Sequence, residues 1–164
     1  AVTADALAGL PVSAIYSSPL VRTQQTAAII REAHGLPVTL VATLVEVDVG
    51  RWEGKSWEEI RAEDGPTYDR FVEEAGRCGY PDGESYDSVY RRVRPAFDEL
   101  LAAHTGERII VVAHSVVNRT YLAGLLGLPP EAAREISQAN GAINVIRRRG
   151  GCDRVVTMNA KQVF

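Results

Sequence analysis

Cysteine, histidine, long apolar runs and a charge excess of either sign are all scarce in this chain, and each scarcity closes off a class of protein. Two cysteines, Cys78 and Cys152, occur among 164 residues. That is too few for a disulfide scaffold, and neither has neighbours spaced as metal ligands. Both read as free thiols in a reducing cytoplasm, with a bridge between them left open. No stretch is apolar for long enough to cross a bilayer, and no signal peptide is visible. The expected location is therefore the cytoplasm, with no membrane partner. Eighteen Lys+Arg against 21 Asp+Glu give a net charge of -3. This argues against nucleic acid as a partner, because such proteins carry a basic face. Histidine occurs three times, as His34, His104 and His114, so candidates for imidazole chemistry are few.

What is present is an ordinary globular composition, 46% hydrophobic and 24% charged. The length suits one domain, 1–164, rather than two. Val2, Ala6 and Leu10 fall at helical spacing before Gly9 and Pro11 stop the pattern. This reads as the tail of a helix already under way, so the domain is expected to be N-terminally incomplete.

Residues 12–17 (VSAIYS) form a short apolar run and an expected buried strand. Ser18 and Pro19 then supply an N-cap and a first-turn proline, for a helix that stops at Gly35. Residues 37–44 are β-rich. Short helices are expected within 56–62 and 66–76, and Tyr80-Pro81-Asp82-Gly83 is a turn signal. A long amphipathic helix follows over 85–104, with Val89, Val93, Phe97 and Leu100 on one face. Pro95 should kink or divide it. Residues 108–113 (RIIVVA) have the continuous apolar character of a strand covered on both sides. A helix over 116–126 follows, and then two β-patterned runs, 142–149 and 154–159, flank a hairpin signal at 150–153. Strands alternating with helices predict a three-layer α/β/α domain with a mostly parallel sheet.

In such sheets ligands bind at the carboxyl ends of the strands, which singles out three side chains. Arg22 lies in the first turn of a helix, where the helix dipole disfavours a cation unless an anion is bound; its planar fork fits a phosphate. Taken alone, an arginine stretched into solvent is the simpler explanation. His114 directly follows a strand and is suited to holding a phosphate or moving a proton; alone, it could be a satisfied core histidine. Glu46 follows the 38–44 run. A carboxyl group beside a phosphate is kept protonated by like charge, as a general acid must be; alone, it is an ordinary solvated Glu. Together the three describe a phosphate pocket with an acid beside it. His34 and His104 sit at helix C-termini and read as surface or capping groups, so a nucleophile is lacking.

These stretches, IYSSPLVRTQQTA at 15–27, LVEVDVGRWEG at 44–54, PDGES at 81–85, IIVVAH at 109–114 and NGAINVI at 140–146, together resemble the histidine phosphatase superfamily, the phosphoglycerate mutase-like proteins. The resemblance runs over the whole chain in family order. It implies that Arg22 binds phosphate, that Glu46 is the acid and base, and that His114 stabilises the transferring phosphoryl group. Ser18 would contribute to the pocket rim. It implies no metal and no cofactor, a small phosphorylated metabolite as substrate, and a nucleophilic histidine that becomes phosphorylated. The family carries that histidine in an Arg-His-Gly tripeptide on a first, central strand, and this sequence contains no such tripeptide. Ser115 stands where the family usually has Gly.

The compact segment between Glu46 and the long helix favours a phosphatase over a mutase, which carries a longer insertion there. Two readings from other classes compete. Ala113-His114-Ser115-Val116-Val117 could be the nucleophile elbow of an acyl hydrolase, but the elbow needs a small residue at Val117 and a later histidine, and none follows. If the 164 residues are the whole protein, the pocket would bind a phosphoester without turning it over. A homo-oligomer remains open.

Overall fold

The alternation of apolar runs and turn residues folds into a layered α/β structure. The computed structural model describes residues 2–74 and 78–161. Helix α1 (Val2–Leu7) leads to strand β1 (Ala14–Ser17), helix α2 (Val21–Glu32) and strand β2 (Val38–Leu40). Two short helices, α3 (Trp57–Glu63) and α4 (Gly65–Glu73), precede the long helix α5 (Tyr86–Ala103). Strand β3 (Ile109–Val112), helix α6 (Ser115–Leu125) and the hairpin β4 (Ile143–Arg149) and β5 (Cys152–Ala160) complete the order. The expected end of α4 near Gly76 lies outside the described residues. No helix among the described residues is long and apolar enough to cross a membrane.

Strands β2, β1 and β3 form a parallel sheet in that order, with Ile15 opposite both Val38 and Ile110. Side chains alternate across it, which puts a core on each face. Ile15, Ile110 and Val112 pack with Leu7, Ala27 and Ile30 of α1 and α2. Val111 faces the other way, toward Val89, Val93, Phe97, Val117 and Tyr121 of α5 and α6. The hairpin is a separate two-stranded antiparallel sheet, but Ile143 joins the first core and Ile146 the second. A third small core, Trp52, Ile60 and Phe71, closes the α3–α4 side.

Several boundaries differ from expectation, each for a local reason. Helix α2 begins two residues late, with Leu20 as an N-cap that makes no side-chain cap. The Ser18 hydroxyl serves a histidine and the Leu20 amide instead. The 37–44 run gives three strand residues and then a 3-10 turn at Ala42–Leu44, because Leu44 turns in to become fully buried. Pro95 does not divide α5, which runs unbroken over 18 residues. Pro95 and Arg91, whose carbonyl loses its helical partner, are both exposed, so water can take that bond. The hairpin turn is tighter than expected: Arg149 pairs with Cys152, leaving Gly150 and Gly151 at positive φ, as a two-residue turn requires.

Candidate active site

Strand order places the site. Helix α2 leaves β1 toward one face of the sheet, and α6 leaves β3 toward the other. The carboxyl ends of these adjacent strands therefore part, and the crevice between them is where open α/β sheets bind ligands. Ser18 follows β1 and His114 follows β3, and the Ser18 amide extends the ladder by donating to the Val112 carbonyl at 3.0 Å.

The side chains at these ends form a chain of hydrogen bonds. Arg22 Nε donates to His114 Nδ1 at 3.2 Å, and His114 Nε2 lies 2.8 Å from Ser18 Oγ. A guanidinium can only donate, so Nδ1 must accept and the ring proton sits on Nε2, directed at Ser18. His114 is 6% exposed and Ser18 is fully buried. Ser18 is thus buried at the Nε2 edge of the ring rather than at a rim. Burial is the main cause that lowers the His114 pKa, and the cations Arg22 and Arg92 add to it against the opposing pull of Glu46.

Glu46 reaches the same place from the 38–46 segment. Its Oε2 accepts from the Val116 amide at 3.2 Å, and its Oε1 from the Val117 amide at 3.4 Å and the Val47 amide at 3.0 Å. Those of Val116 and Val117 are first-turn amides of α6, which have no partner within the helix and take a side-chain acceptor instead. His114 is the N-cap residue of that helix and makes no side-chain cap, which leaves the position to Glu46. The structure therefore gathers Arg22, Glu46, His114 and Ser18 at one crevice, and exposed Ser115 opens α6 beside them.

His34 and His104 lie elsewhere. His104 is the C-cap residue of α5, but its ring joins Tyr16 Oη at 2.8 Å to Glu107 Oε2 at 2.6 Å, so it is no free surface group. His34 has a buried Nε2 without a hydrogen-bond partner.

Two residues not singled out from the sequence support the site. Arg92 of α5 pairs with Glu84 and also donates to backbone carbonyls of the acid segment. The sequence carried a signal for it: an Arg two helical turns past the Ser85 N-cap, able to face the Glu that directly precedes that cap. Tyr80 is the other. Burial, Tyr86 and the Glu46 charge push its phenol upward, with Arg134 opposing. It also lines a cavity of about 480 Å³ with Arg51, Thr67, Arg70 and Asp82. Among the described residues, no three His, Cys, Asp or Glu side chains are grouped as a metal site.

Comparison with known proteins agrees with this geometry. Residues 1–161 match the family described as Histidine phosphatase superfamily (branch 1). The chain is 39% identical over 114 residues to Phosphoserine phosphatase 1 of Hydrogenobacter thermophilus, covering 70% of this chain and 54% of that protein. It is 35% identical over 135 residues to the probable phosphoglycerate mutase GpmB of Yersinia enterocolitica, covering 81% and 62%. The chain thus spans less than two thirds of either relative's length. Among solved structures, Bacillus stearothermophilus YhfR superposes with a TM-score of 0.90 at 27% identity, covering 97% of this chain and 79% of that one. The mycobacterial glucosyl-3-phosphoglycerate phosphatase Rv2419c gives 0.84 at 26%, covering 96% and 81%.

Proposed function

Because the chain belongs to the histidine phosphatase superfamily, we propose that it is the larger part of a phosphomonoester hydrolase working through a phosphohistidine. The observation that carries this reading is the meeting of Arg22, His114 and Glu46 at the crevice where β1 and β3 part. In the first step a histidine attacks phosphorus, an N–P bond forms, and the ester P–O bond breaks. Glu46 gives its proton to the departing alcohol. In the second step water attacks the phosphohistidine, Glu46 takes a proton back, and inorganic phosphate leaves. Splitting the transfer in two is covalent catalysis. Arg22 supplies positive charge to the phosphoryl oxygens, and the neutral His114 turns its Nε2–H from Ser18 to them; the Arg22 donor sets that tautomer. The scheme uses no metal.

The attacking histidine is proposed to lie outside these 164 residues, on a strand that precedes them. Among the described residues, β3 pairs only with β1 and β4 only with β5. Yet Ile110 and Val112 of β3 and Ile143 of β4 join one core, so one further strand would fit between two open edges. All four β3 residues are only partly buried, unlike a central strand with helices on both faces. The substrate is a small phosphorylated metabolite, as the names of the phosphatase relatives suggest. Transfer to a second hydroxyl would make the protein a mutase, but the short α3–α4 segment favours hydrolysis.

The test uses a form of the protein whose upstream Arg-His-Gly has been confirmed. It should release phosphate from members of a broad phosphomonoester panel and trap an acid-labile phosphoenzyme. The 164 residues alone should do neither. Failure of the longer form on the whole panel would sink the reading.

A further inference from the structure

The segment that carries Glu46 has little structure of its own. Between β2 and α3 it holds two 3-10 turns, Ala42–Leu44 and Gly50–Trp52. A loop of that kind does not by itself aim a carboxyl group, so the restraint must come from outside it. Arg92 commits all three guanidinium nitrogens to this segment and to one carboxylate. Its Nη1 donates to the Thr43 carbonyl at 2.6 Å and its Nη2 to the Glu46 carbonyl at 3.1 Å. Its Nε and Nη2 also donate to Glu84 Oε1 and Oε2, at 2.8 and 2.9 Å.

Glu84 extends the grip. Its Oε2 accepts from the Asp48 amide at 3.0 Å, and its own amide donates to the Asp48 carbonyl at 2.8 Å. Burial alone would raise the Glu84 carboxyl, but Arg92 and the Asp48 amide hold it below its ordinary value. Behind them, backbone lies directly on backbone. A Cβ on Gly50 would sit 2.0 Å from the Pro81 carbonyl oxygen, and one on Gly83 would sit 2.3 Å from that of Asp48. Positions 43, 46 and 48 are thus fastened to the start of α5 and the turn before it.

We propose that Arg92 and Glu84 are positioning residues that set the reach of the Glu46 carboxyl toward the leaving oxygen. This rests on Glu46 as the proton donor of the proposed hydrolase. Neither residue bonds to the Arg22–His114–Ser18 chain; the charge of Arg92 does reach His114, so the test must leave that charge in place. Lysine at 92 keeps the charge but cannot hold two carbonyls and a carboxylate at once. A displacement on the order of 1 Å is enough to cost about 100-fold in rate.

The experiment uses the complete enzyme and two substrates, p-nitrophenyl phosphate and ethyl phosphate. The nitrophenolate leaves with little proton help, whereas the alkoxide depends on it. For Arg92→Lys, kcat/KM on ethyl phosphate should fall about 10- to 100-fold. On p-nitrophenyl phosphate it should fall less than about threefold, with the affinity for inorganic phosphate unchanged. Should Arg92→Lys melt well below the parent, Glu84→Gln is read instead, because it keeps the guanidinium and its two carbonyl contacts. Equal losses on both esters in a folded variant, or no loss on either, overturn the proposal. Glu46→Ala separates the two levels. If it too loses equally on both esters, the acid role itself has failed. If it alone shows the leaving-group dependence, only the positioning role has failed.

Discussion

His114 shows how one side chain's surroundings decide its charge. Its ring accepts from Arg22 on one side and donates to a buried hydroxyl on the other; burial above all, with the Arg22 and Arg92 charges against the pull of Glu46, holds its pKa below the ordinary value of 6.5. The unfolded chain then takes up a proton near pH 6.5 that the folded chain refuses until lower pH. Stability contributed by the neutral ring is full above about pH 6.5 and is lost as pH falls toward the depressed folded value. Urea unfolding across pH 5 to 8 should show this fall, and His114→Asn should flatten it; an unchanged slope would contradict the neutral tautomer. Arg22 makes a second prediction. It is exposed apart from its bond to His114, so Arg22→Ala should barely change stability. It should weaken phosphate binding by roughly 1.5–3 kcal/mol, the usual contribution of a charge-assisted bond, as calorimetry can measure. Arg22→Lys should restore only part of that, since the fork is lost.

Among the elements, contacts between helices and the hairpin were the least legible in the sequence. The strands at 14–17 and 109–112 could be read because apolar runs bounded by turn residues leave few alternatives. The close approach of α5 and α6 could not, because it depends on which side chains oppose each other once the two helices are packed. Gly124 sits against Tyr90, and a Cβ there would come 2.2 Å from the ring. Gly124→Ala should therefore lower stability by about 1–3 kcal/mol, the usual cost of overpacking, despite alanine's better helix propensity. Chemical denaturation tests this, and a stabilised variant would mean the helices do not lie this close. The hairpin is fastened to α5 by charge. Arg148 pairs with Asp98 and Asp153, and the Asp153 side chain is 5% exposed. With Arg148→Met, Asp153 retains Arg94 at 3.7 Å. A nearly buried carboxylate stripped of its main partner should cost about 3–5 kcal/mol, read as a lower urea midpoint.

At the scale of the molecule, the site was more legible than the way it is assembled. Residue type and position after a strand pointed to Arg22, Glu46 and His114. The α6 amides that hold Glu46 and the guanidinium behind its loop arise only from tertiary packing. The sheet raises the same question more sharply. Among the described residues, two sets of strands share a core across edges that do not pair with each other, and backbone groups are costly to leave unmatched where such an edge is covered. If a preceding strand fills that space and delivers the attacking histidine, folding and catalysis depend on one insertion. Hydrogen exchange then has a definite expected outcome. Amides of β3 and β4 on the facing edges should exchange quickly in the 164-residue chain and become protected in the longer form. Those of β1, already paired on both sides, should change least. Protection that is the same in both forms would mean the strand docks elsewhere, and the histidine it carries could not reach a phosphate held by Arg22 and His114.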